Sequence, residues 1–424
     1  MRTWGGETCQ HGTELSEARR LFGSWRLKHA SYARTRRRWL VAVATGLGGV
    51  VAACSVNLGD LGMSSRAPPA QQQPGAAIGT GDVKAALILP LSAAGNVGLA
   101  AQSLKNAAEM ALAEYNAANI QLLVKDDGGT VQGAQAAAQQ ALDQGAEIIL
   151  GPLLAPSVAA VGQVARPRGV PIIAFSTDAN VAARGVYLLS LLPESDVDRI
   201  VAYASSQGRR AYAALIPENA YGTVVQAALQ QIAARRGARV VVLERYTQDP
   251  QQLQAAIARV AQAAPQIDAI FIPDGTDSVT VVQGLTAAGI NPRRIQLLGT
   301  GLWADDSQIA ANASLQGAWY AAPDPAGYRS FQTRYRTRFG RDPVGRAAVG
   351  YDSVSLVAAL VKTQGQQRFS EQVLTNPSGF SGIDGIFRFR QDGINERGLA
   401  VLRVAPGGGQ VVSPAPKSFT GSGT

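Results

Sequence analysis

Short aliphatic runs alternate with longer segments of helical periodicity between residues 83 and 298, and this alternation leaves few folds open to the chain. The runs are four to seven residues long, and the Ala- and Gln-rich segments between them ten to eighteen. Because the runs lack the in-out alternation of half-exposed strands, they predict parallel strands covered by helices on both faces. The predicted strands are 83–89, 120–124, 147–150, 171–174, 211–215, 239–245, 268–272 and 295–298, and the predicted helices 98–116, 130–144, 156–168, 194–207, 219–236, 250–264 and 277–289.

The pattern starts twice, near residues 83 and 211, and has too many strands for one six-stranded sheet. It therefore predicts two doubly wound α/β lobes. Later segments complete them: helices at 325–339 and 346–363, then an antiparallel hairpin that joins 387–390 to 399–404. A chain that returns late to both lobes leaves several hinge strands between them. The expected division is 82–190 with about 321–377 for the first lobe, and 191–320 with about 378–405 for the second.

An apolar run at residues 39–53 follows a cluster of arginines and ends at Cys54. This pattern predicts a secretory signal peptide over 1–53, because such a signal has a basic segment, an apolar segment of about 15 residues and small residues at its cleavage site. The run is shorter than the roughly 20 residues of a membrane-spanning helix, although a short anchor that stays uncut is the alternative. Residues 54–81 and 406–424 are rich in Pro, Gly, Gln and Ser, which predicts a flexible tether and a flexible tail.

The predicted signal peptide, residues 1–53, also contains most of the excess positive charge and all the histidines, which would otherwise suggest nucleic-acid binding or a metal or catalytic site. Nine of the 39 Lys and Arg and three of the 30 Asp and Glu lie in residues 1–53, which leaves 30 cations against 27 acids in the rest of the chain. No basic stripe for a nucleic acid is evident there. Both histidines, His11 and His29, and Cys9 lie in the predicted signal peptide as well. The mature chain thus lacks the residues of His/Cys zinc sites and of Ser-His or Cys-His nucleophile pairs, and we expect no metal, no cofactor and no enzyme activity.

The loops after the predicted strands are the candidate binding site, because open parallel sheets bind ligands beyond the carboxyl ends of their strands. These loops combine Gly or Pro with hydroxyl, carboxylate or aromatic side chains, which suits a small polar ligand. Ordinary turns collect the same residues for conformational reasons, but a whole set that faces one cleft favours binding. The candidates from these loops are Ser92, Ser176, Thr177, Tyr221, Asp274 and Trp303.

Two other patterns have simpler explanations. Residues 299–304 fit the dinucleotide fingerprint G-x-G-x-x-A, but no acidic residue ends a strand about 20 residues later, as that fingerprint requires. Aromatic residues recur at helical spacing in the predicted helix 325–339 and are expected to pack in the core or between the lobes. They are Tyr328, Phe331, Tyr335 and Phe339.

A set of motifs follows the predicted strand ends and helix starts. They are Leu89-Pro90-Leu91-Ser92, Gly98, Gly151-Pro152-Leu153-Leu154, Gly169-Val170-Pro171-Ile172-Ile173, Tyr221-Gly222 and Gly350-Tyr351-Asp352. Over roughly 83–404 the chain thereby resembles the type I periplasmic binding proteins of the leucine-binding kind, which are two-lobed clamshells that close on an amino acid.

The resemblance also implies roles for individual residues. By position, Ser157 (or the neighbouring backbone of 153–156), Ser176 and Thr177 would face a ligand carboxylate, and Tyr221 would form a wall of the pocket. The family's acidic residue for the ligand ammonium is replaced here by the stretch 300–303, and Asp274 or Asp178 is the expected substitute. The residues before Cys54 resemble the lipobox of bacterial lipoproteins, which implies a lipid on Cys54. Ser55 then favours the outer membrane over the inner one by resemblance to known sorting preferences.

A further set of motifs is Asp126-Asp127-Gly128-Gly129-Thr130, Ile149-Leu150-Gly151-Pro152-Leu153, Leu298-Gly299-Thr300-Gly301-Leu302-Trp303, Ala321-Ala322-Pro323-Asp324-Pro325 and Gly385-Ile386-Phe387-Arg388-Phe389. These resemble penicillin-binding-protein activator (LpoA/LppC-like) lipoproteins, which share the binding fold and act on a peptidoglycan synthase. We therefore expect a non-catalytic, lipid-anchored regulator of peptidoglycan synthesis in the periplasm. The alternative is the substrate-binding lipoprotein of an ABC importer, with a permease as partner and a branched-chain amino acid or similar polar solute as ligand.

Overall fold

A computed structural model of the protein describes residues 77–115, 119–304 and 306–419. These residues belong to one compact unit, which contains a six-stranded sheet, a seven-stranded sheet and a small three-stranded sheet. Within the described ranges, no helix is both long and apolar enough to cross a membrane. The predicted signal peptide and Cys54 lie outside the described residues.

The strands match the aliphatic runs of the sequence closely. They are β1 (Ala77–Ile78), β2 (Val83–Leu89), β3 (Ile120–Asp126), β4 (Ile148–Leu150), β5 (Ile172–Ala174), β6 (Val186–Leu188), β7 (Ala211–Pro217), β8 (Arg239–Tyr246), β9 (Ala269–Phe271), β10 (Gln296–Gly299), β11 (Trp319–Ala322), β12 (Phe380–Gly382), β13 (Gly385–Phe389), β14 (Asn395–Arg397), β15 (Ala400–Ala405) and β16 (Gly408–Ser413).

The helices fill the segments between most of the strands. They are α1 (Gly95–Glu114), α2 (Val131–Asp143), α3 (Ala155–Ala165), α4 (Pro193–Ser206), α5 (Ala220–Arg235), α6 (Pro250–Gln262), α7 (Ser278–Ala287), α8 (Ser307–Ala311), α9 (Pro325–Phe339), α10 (Ala348–Thr363) and α11 (Glu371–Leu374).

The first lobe is built on the sheet β1-β3-β2-β4-β5-β6, in which every pair is parallel except the edge pair β1–β3. Successive side chains of a strand point to opposite faces. Leu87 therefore packs with residues of α1 and α10 in one core, while its neighbour Ile88 packs with residues of α2 and α3 in another. This sheet is covered on both faces, as the sequence predicts.

The second lobe is built on the sheet β16-β15-β11-β10-β9-β7-β8. The strands from β8 to β11 are parallel, and β15 and β16 join antiparallel at one edge. Leu215 and Ile216 again enter separate cores on the two faces. The prediction of an α/β fold with two doubly wound lobes is confirmed.

The predicted hairpin between 387–390 and 399–404 is wrong. The strand β13 instead pairs with β12 and β14, while β15 pairs with β11 and β16. Burial explains the difference, because Phe387 and Phe389 enter the core of the first lobe whereas Leu402 enters a core of the second. The two runs therefore complete different lobes.

In the described part of the chain up to β16, three crossings join the lobes. They lie at 189–192 between β6 and α4, at 323–324 between β11 and α9, and at 398–399 between β14 and β15. The expected division placed all of 378–405 in the second lobe. Since Phe387 and Phe389 pack in the first, the last crossing falls about 20 residues later than expected.

The expected flexible tail is ordered over 406–419. Gly407 and Gly408 have φ of 83° and 133°, which allows a tight turn between β15 and β16. After β16, the Arg199 side chain donates hydrogen bonds to Ser413 Oγ at 2.7 Å and to the Pro414 carbonyl at 3.3 Å. The Arg388 guanidinium lies 4.6 Å from the centre of the Phe419 ring. This C-terminal segment thereby passes from the second lobe back to the first.

The predicted packing aromatics of α9 lie in the first lobe. Phe331 and Tyr335 are fully buried, and Tyr328 and Phe339 pack at their edges. The neighbouring helix α10 approaches α1 at Gly350, where an added Cβ would lie 2.4 Å from the Leu104 carbonyl oxygen.

We predict that Gly350→Ala lowers the free energy of unfolding by about 1–3 kcal/mol, because the extra methyl group overpacks the α1–α10 contact. The matched control is Gly162→Ala in α3, where the nearest atom to an added Cβ is 3.7 Å away. That variant should be neutral or up to about 1 kcal/mol more stable, since alanine has the higher helix propensity. Urea unfolding measures both variants, and an equal effect in the two would contradict the close approach.

Candidate functional site

A cavity of about 340 Å³ lies where the two lobes meet, beside the crossing at 189–192. We call it the cleft cavity. Its lining comes from the first lobe, from the crossing at 189–192 and from the second lobe. The residues are Ala100, Leu104, Leu153, Phe175, Thr177, Ser190, Leu191, Pro193, Asp196, Tyr221, Gly301, Leu302, Val344, Arg346 and Val349.

The strands position much of this lining. Leu153 follows β4, Phe175 follows β5 and Leu302 follows β10, so these residues stand at carboxyl ends of parallel strands. Tyr221 lies in the first turn of α5, directly after β7. The cleft cavity thus occupies the place where open α/β sheets bind their ligands.

A larger depression of about 640 Å³ lies on the first lobe, around Arg166, Arg184 and Phe369. Only the first lobe lines it, and it lies far from the strand ends that face the second lobe. The cleft cavity is the better candidate because both lobes contribute to it and its walls are mostly apolar.

Tyr221 is held in place by the end of β10. Its hydroxyl lies 3.0 Å from Thr300 Oγ1 and 3.3 Å from the Pro273 carbonyl oxygen, and the Thr300 hydroxyl donates to the same carbonyl at 2.8 Å. Burial raises the pKa of the Tyr221 hydroxyl well above its ordinary value. The side chain is therefore a neutral, fixed wall of the cavity.

Asp196 is the acidic residue of the cleft cavity and lies in the first turn of α4. Its Oδ2 accepts a hydrogen bond from the Gly301 N–H at 3.0 Å, while its Oδ1 is enclosed without a hydrogen-bond partner. Burial raises the pKa of Asp196 to about 7, against the opposing effects of the Gly301 N–H and of the Arg346 charge. A carboxyl group in this setting takes up a proton far more readily than one exposed to water.

Arg346 is the cation of the cleft cavity and stands in the first lobe between α9 and α10. Its charge lowers the pKa of Asp196, which belongs to the second lobe, so the two side chains interact across the cleft. It also lies near Arg397, whose pKa is lowered by burial and further by the Arg346 charge. Arg397 in turn faces the carboxyl groups of Asp352 and Asp384.

Arg397 and Asn395 tie the first crossing to β14, the strand that leads into the last crossing. The Arg397 guanidinium donates to the carbonyl oxygens of Leu189 and, at 3.4 Å, of Ser190. The Asn395 amide donates to the carbonyl oxygens of Leu188 and Ser190, both at 2.7 Å. These bonds fix the backbone beside the cleft cavity.

Of the residues expected from the sequence to bind a ligand, the structure brings Thr177 and Tyr221 together in the cleft cavity. Ser176 is buried, and its Oγ accepts a hydrogen bond from the Asp178 N–H at 3.1 Å. Ser157 is also buried, and its hydroxyl bonds to the Asp127 carboxylate. Both serines therefore support the loops behind the cavity wall.

Ser92, Asp274 and Trp303 do not line the cleft cavity. Ser92 is exposed next to Asp126. Asp274 accepts hydrogen bonds from the Tyr246 hydroxyl at 3.2 Å and from the Thr276 N–H at 3.0 Å. Trp303 is only 2% exposed, because the chain turns after β10 and places the indole against Gly299 in the core of the second lobe. The rule that ligands bind beyond the carboxyl ends of parallel strands selects these loops, but it does not give the direction of each side chain.

Asp178, the other expected substitute for the ammonium-binding acid, accepts a hydrogen bond from the Asn180 N–H at 3.0 Å and does not line the cavity. The sequence reasoning missed Asp196, Arg346 and Leu302. Asp196 could have been found if the short strand β6 had been recognised. The segment that follows β6 would then have been a loop at the carboxyl end of a parallel strand, where open sheets bind ligands. Arg346 follows no strand, so that rule gave no signal for it.

Comparison with known proteins supports the fold. The family model described as a periplasmic binding protein matches residues 82–410. An uncharacterized protein of Rickettsia prowazekii is 22% identical over 142 residues, and the match spans 34% of this chain and 38% of that relative's length.

Three solved structures share the fold. A Rhodospirillum rubrum protein assigned to a branched-chain amino acid ABC transporter has a TM-score of 0.70 at 19% identity and covers 78% of this chain and 99% of its own. A substrate-binding protein from Desulfitobacterium hafniense, in complex with Leu, has a TM-score of 0.58 at 18% identity, with coverages of 78% and 99%. A solute-binding protein from R. palustris, in complex with benzoate, has a TM-score of 0.54 at 17% identity, with coverages of 80% and 97%.

Proposed function

The chain belongs to the periplasmic binding protein family, whose model spans residues 82–410, and on this premise we propose that it is the solute receptor of an ABC importer. The observation that carries the proposal is the cleft cavity, which both lobes line beside the crossing at 189–192. The structurally similar proteins are ABC transporter components, among them complexes with Leu and with benzoate. The family is one of binding proteins and acts in the periplasm.

The proposed mechanism is closure of the two lobes on the solute. A solute in the cleft cavity would contact Thr177 of the first lobe and Tyr221 of the second at once. Contacts made to both lobes favour the closed arrangement over the open one, and bending at the crossings would allow the change. A permease would then distinguish the loaded receptor from the empty one.

The expectation of a regulator of peptidoglycan synthesis is the weaker of the two hypotheses. The comparisons support the type I periplasmic binding protein fold, and the similar structures are proteins of ABC transporters. No feature of the described residues favours a cell-wall synthase over a permease as partner. The importer receptor therefore becomes the main proposal.

A panel of small solutes tests the proposed function by thermal unfolding of the purified protein. A solute at 100 times its dissociation constant should add about 2.7 kcal/mol to the free energy of unfolding. Tyr221→Ala should abolish this gain because the cavity loses a wall, whereas Tyr221→Phe, which keeps the ring, should retain most of it. No gain with any solute, or an equal gain in Tyr221→Ala, would contradict the proposal.

We also propose that a lipid on Cys54 anchors the receptor to the cell envelope, with the outer membrane favoured. The support is the sequence pattern that ends at Cys54. Cys54→Ala should prevent lipid attachment, so that metabolic labelling with a radioactive fatty acid no longer marks the protein. Labelling that persists in Cys54→Ala, or wild-type protein that takes up no label, would contradict the lipid anchor.

A further inference from the structure

We propose that the solute is an apolar monocarboxylate without an ammonium group, that is, an aliphatic or aromatic acid and not the corresponding amino acid. This inference rests on the proposed function, because it names the class of solute that the cleft cavity would hold. It rests on the apolar walls of the cavity and on the different surroundings of its two charged side chains, Asp196 and Arg346.

The walls of the cleft cavity are apolar on both sides. Leu104, Leu153 and Phe175 of the first lobe face the cavity together with Leu302 of the second. Leu302 and Val344 are 46% and 41% exposed, which is unusual for large apolar side chains in this protein. A solute with an apolar body would cover these side chains and remove their surface from water.

An ammonium group would find no fully available carboxylate among the described lining residues of this cavity. Asp196 is its only acidic lining residue among the described positions, and one of its oxygens is already bonded to the Gly301 N–H while the other is enclosed in the wall. An ammonium carries three N–H donors, each of which needs an acceptor once it leaves water. The hydroxyl of Tyr221 is engaged with Thr300 and Pro273.

A carboxylate would find a suitable donor in Arg346. Arg346 lines the cleft cavity, and a guanidinium presents its five N–H donors in a planar fork that matches a carboxylate. Among the described lining residues, Arg346 is the one cation of the cavity and Asp196 the one acidic residue. The first-lobe hydroxyl of Thr177 supplies a further donor on the cavity wall.

Two matched series of solutes test the inference by calorimetric titration. The first is L-leucine, 4-methylpentanoate and 3-methylbutan-1-amine, which share one isobutyl body and differ only in the ammonium and the carboxylate. The second is L-phenylalanine, 3-phenylpropanoate and 2-phenylethylamine. In at least one series, the acid should bind ten-fold or more tightly than both the amino acid and the amine. An amino acid or an amine that binds as tightly as the acid would overturn the inference and leave the proposed function intact.

Variants of Arg346 locate the contact. Arg346→Gln should weaken binding of the preferred acid ten-fold or more and leave binding of its uncharged amide within two-fold, while Arg346→Lys should restore part of the loss. An unchanged affinity for the acid in Arg346→Gln would overturn the assignment of this residue. Binding of some other polar solute, with none of the six bound, would overturn the inference alone, whereas no binding by any solute would overturn the proposed function as well.

Discussion

Replacement of Arg397 by methionine is expected to lower the free energy of unfolding by about 3–5 kcal/mol, because it leaves buried acidic groups without their cation. Arg397 is 8% exposed and faces Asp352 and Asp384. Its guanidinium also donates to the carbonyl oxygens of Leu189 and Ser190, which would lose these bonds. The measurement is the midpoint and slope of unfolding in urea.

The control for this prediction is Arg390→Met. Arg390 follows the neighbouring strand β13 and pairs with Asp392, but both side chains are about half exposed. An exposed ion pair contributes little, so the loss should stay within about 1 kcal/mol. Equal losses in the two variants would show that the burial of Arg397 near Asp352 and Asp384 adds nothing to the stability beyond that of an exposed ion pair. Asp384→Asn added to Arg397→Met should recover part of the stability, since it removes an uncompensated charge.

The stability of the protein should also depend on pH through Asp352. Burial raises the pKa of Asp352 in the folded protein to about 7 from its ordinary value of 3.8, with a further contribution from Asp384. Between these two values the folded state holds a proton that the unfolded state has released. The stabilising contribution is therefore complete below pH 4 and is lost as the pH rises through about 7. A shift of this size corresponds to a loss on the order of 4 kcal/mol.

Asp352→Asn isolates this effect from the other titrating groups. The asparagine is isosteric, and its side-chain oxygen can still accept the hydrogen bond that the Ile383 N–H donates to Asp352 Oδ1 at 2.8 Å. The stability of the wild type relative to this variant should decrease from pH 4 to about pH 7 and level off above that pH. A difference that stays constant, or that increases with pH, would contradict the raised pKa. Asp196→Asn should behave in the same direction, because burial raises the pKa of Asp196 to about 7 as well.

The fold was largely predictable because its strands are buried on both faces. Runs such as Val83–Leu89 are continuous and aliphatic, and each is followed by a helical segment. The C-terminal part was less predictable because its strands are short and amphipathic, so their partners depend on tertiary contacts. The sequence of β16 is rich in Gly and reads as a tail, yet it adds to the edge of the second sheet next to β15.

The candidate site was predictable by position but less so by residue. The rule on strand ends located the loops of Thr177 and Tyr221, which do line the cleft cavity. It could not show that the indole of Trp303 turns into the core or that Ser157 bonds to Asp127. Arg346 and Asp196 come from different lobes and are 150 positions apart in the sequence, so only the folded chain reveals their interaction.

Calorimetric titration of the purified protein with the solute that stabilises it best is the most direct test of the cleft as a binding site. We predict one solute per chain, a negative heat-capacity change from burial of the apolar walls, and loss of the binding heat in Tyr221→Ala. Binding that persists unchanged in Tyr221→Ala, or no binding heat with any solute of the panel, would contradict a solute receptor built on this cleft.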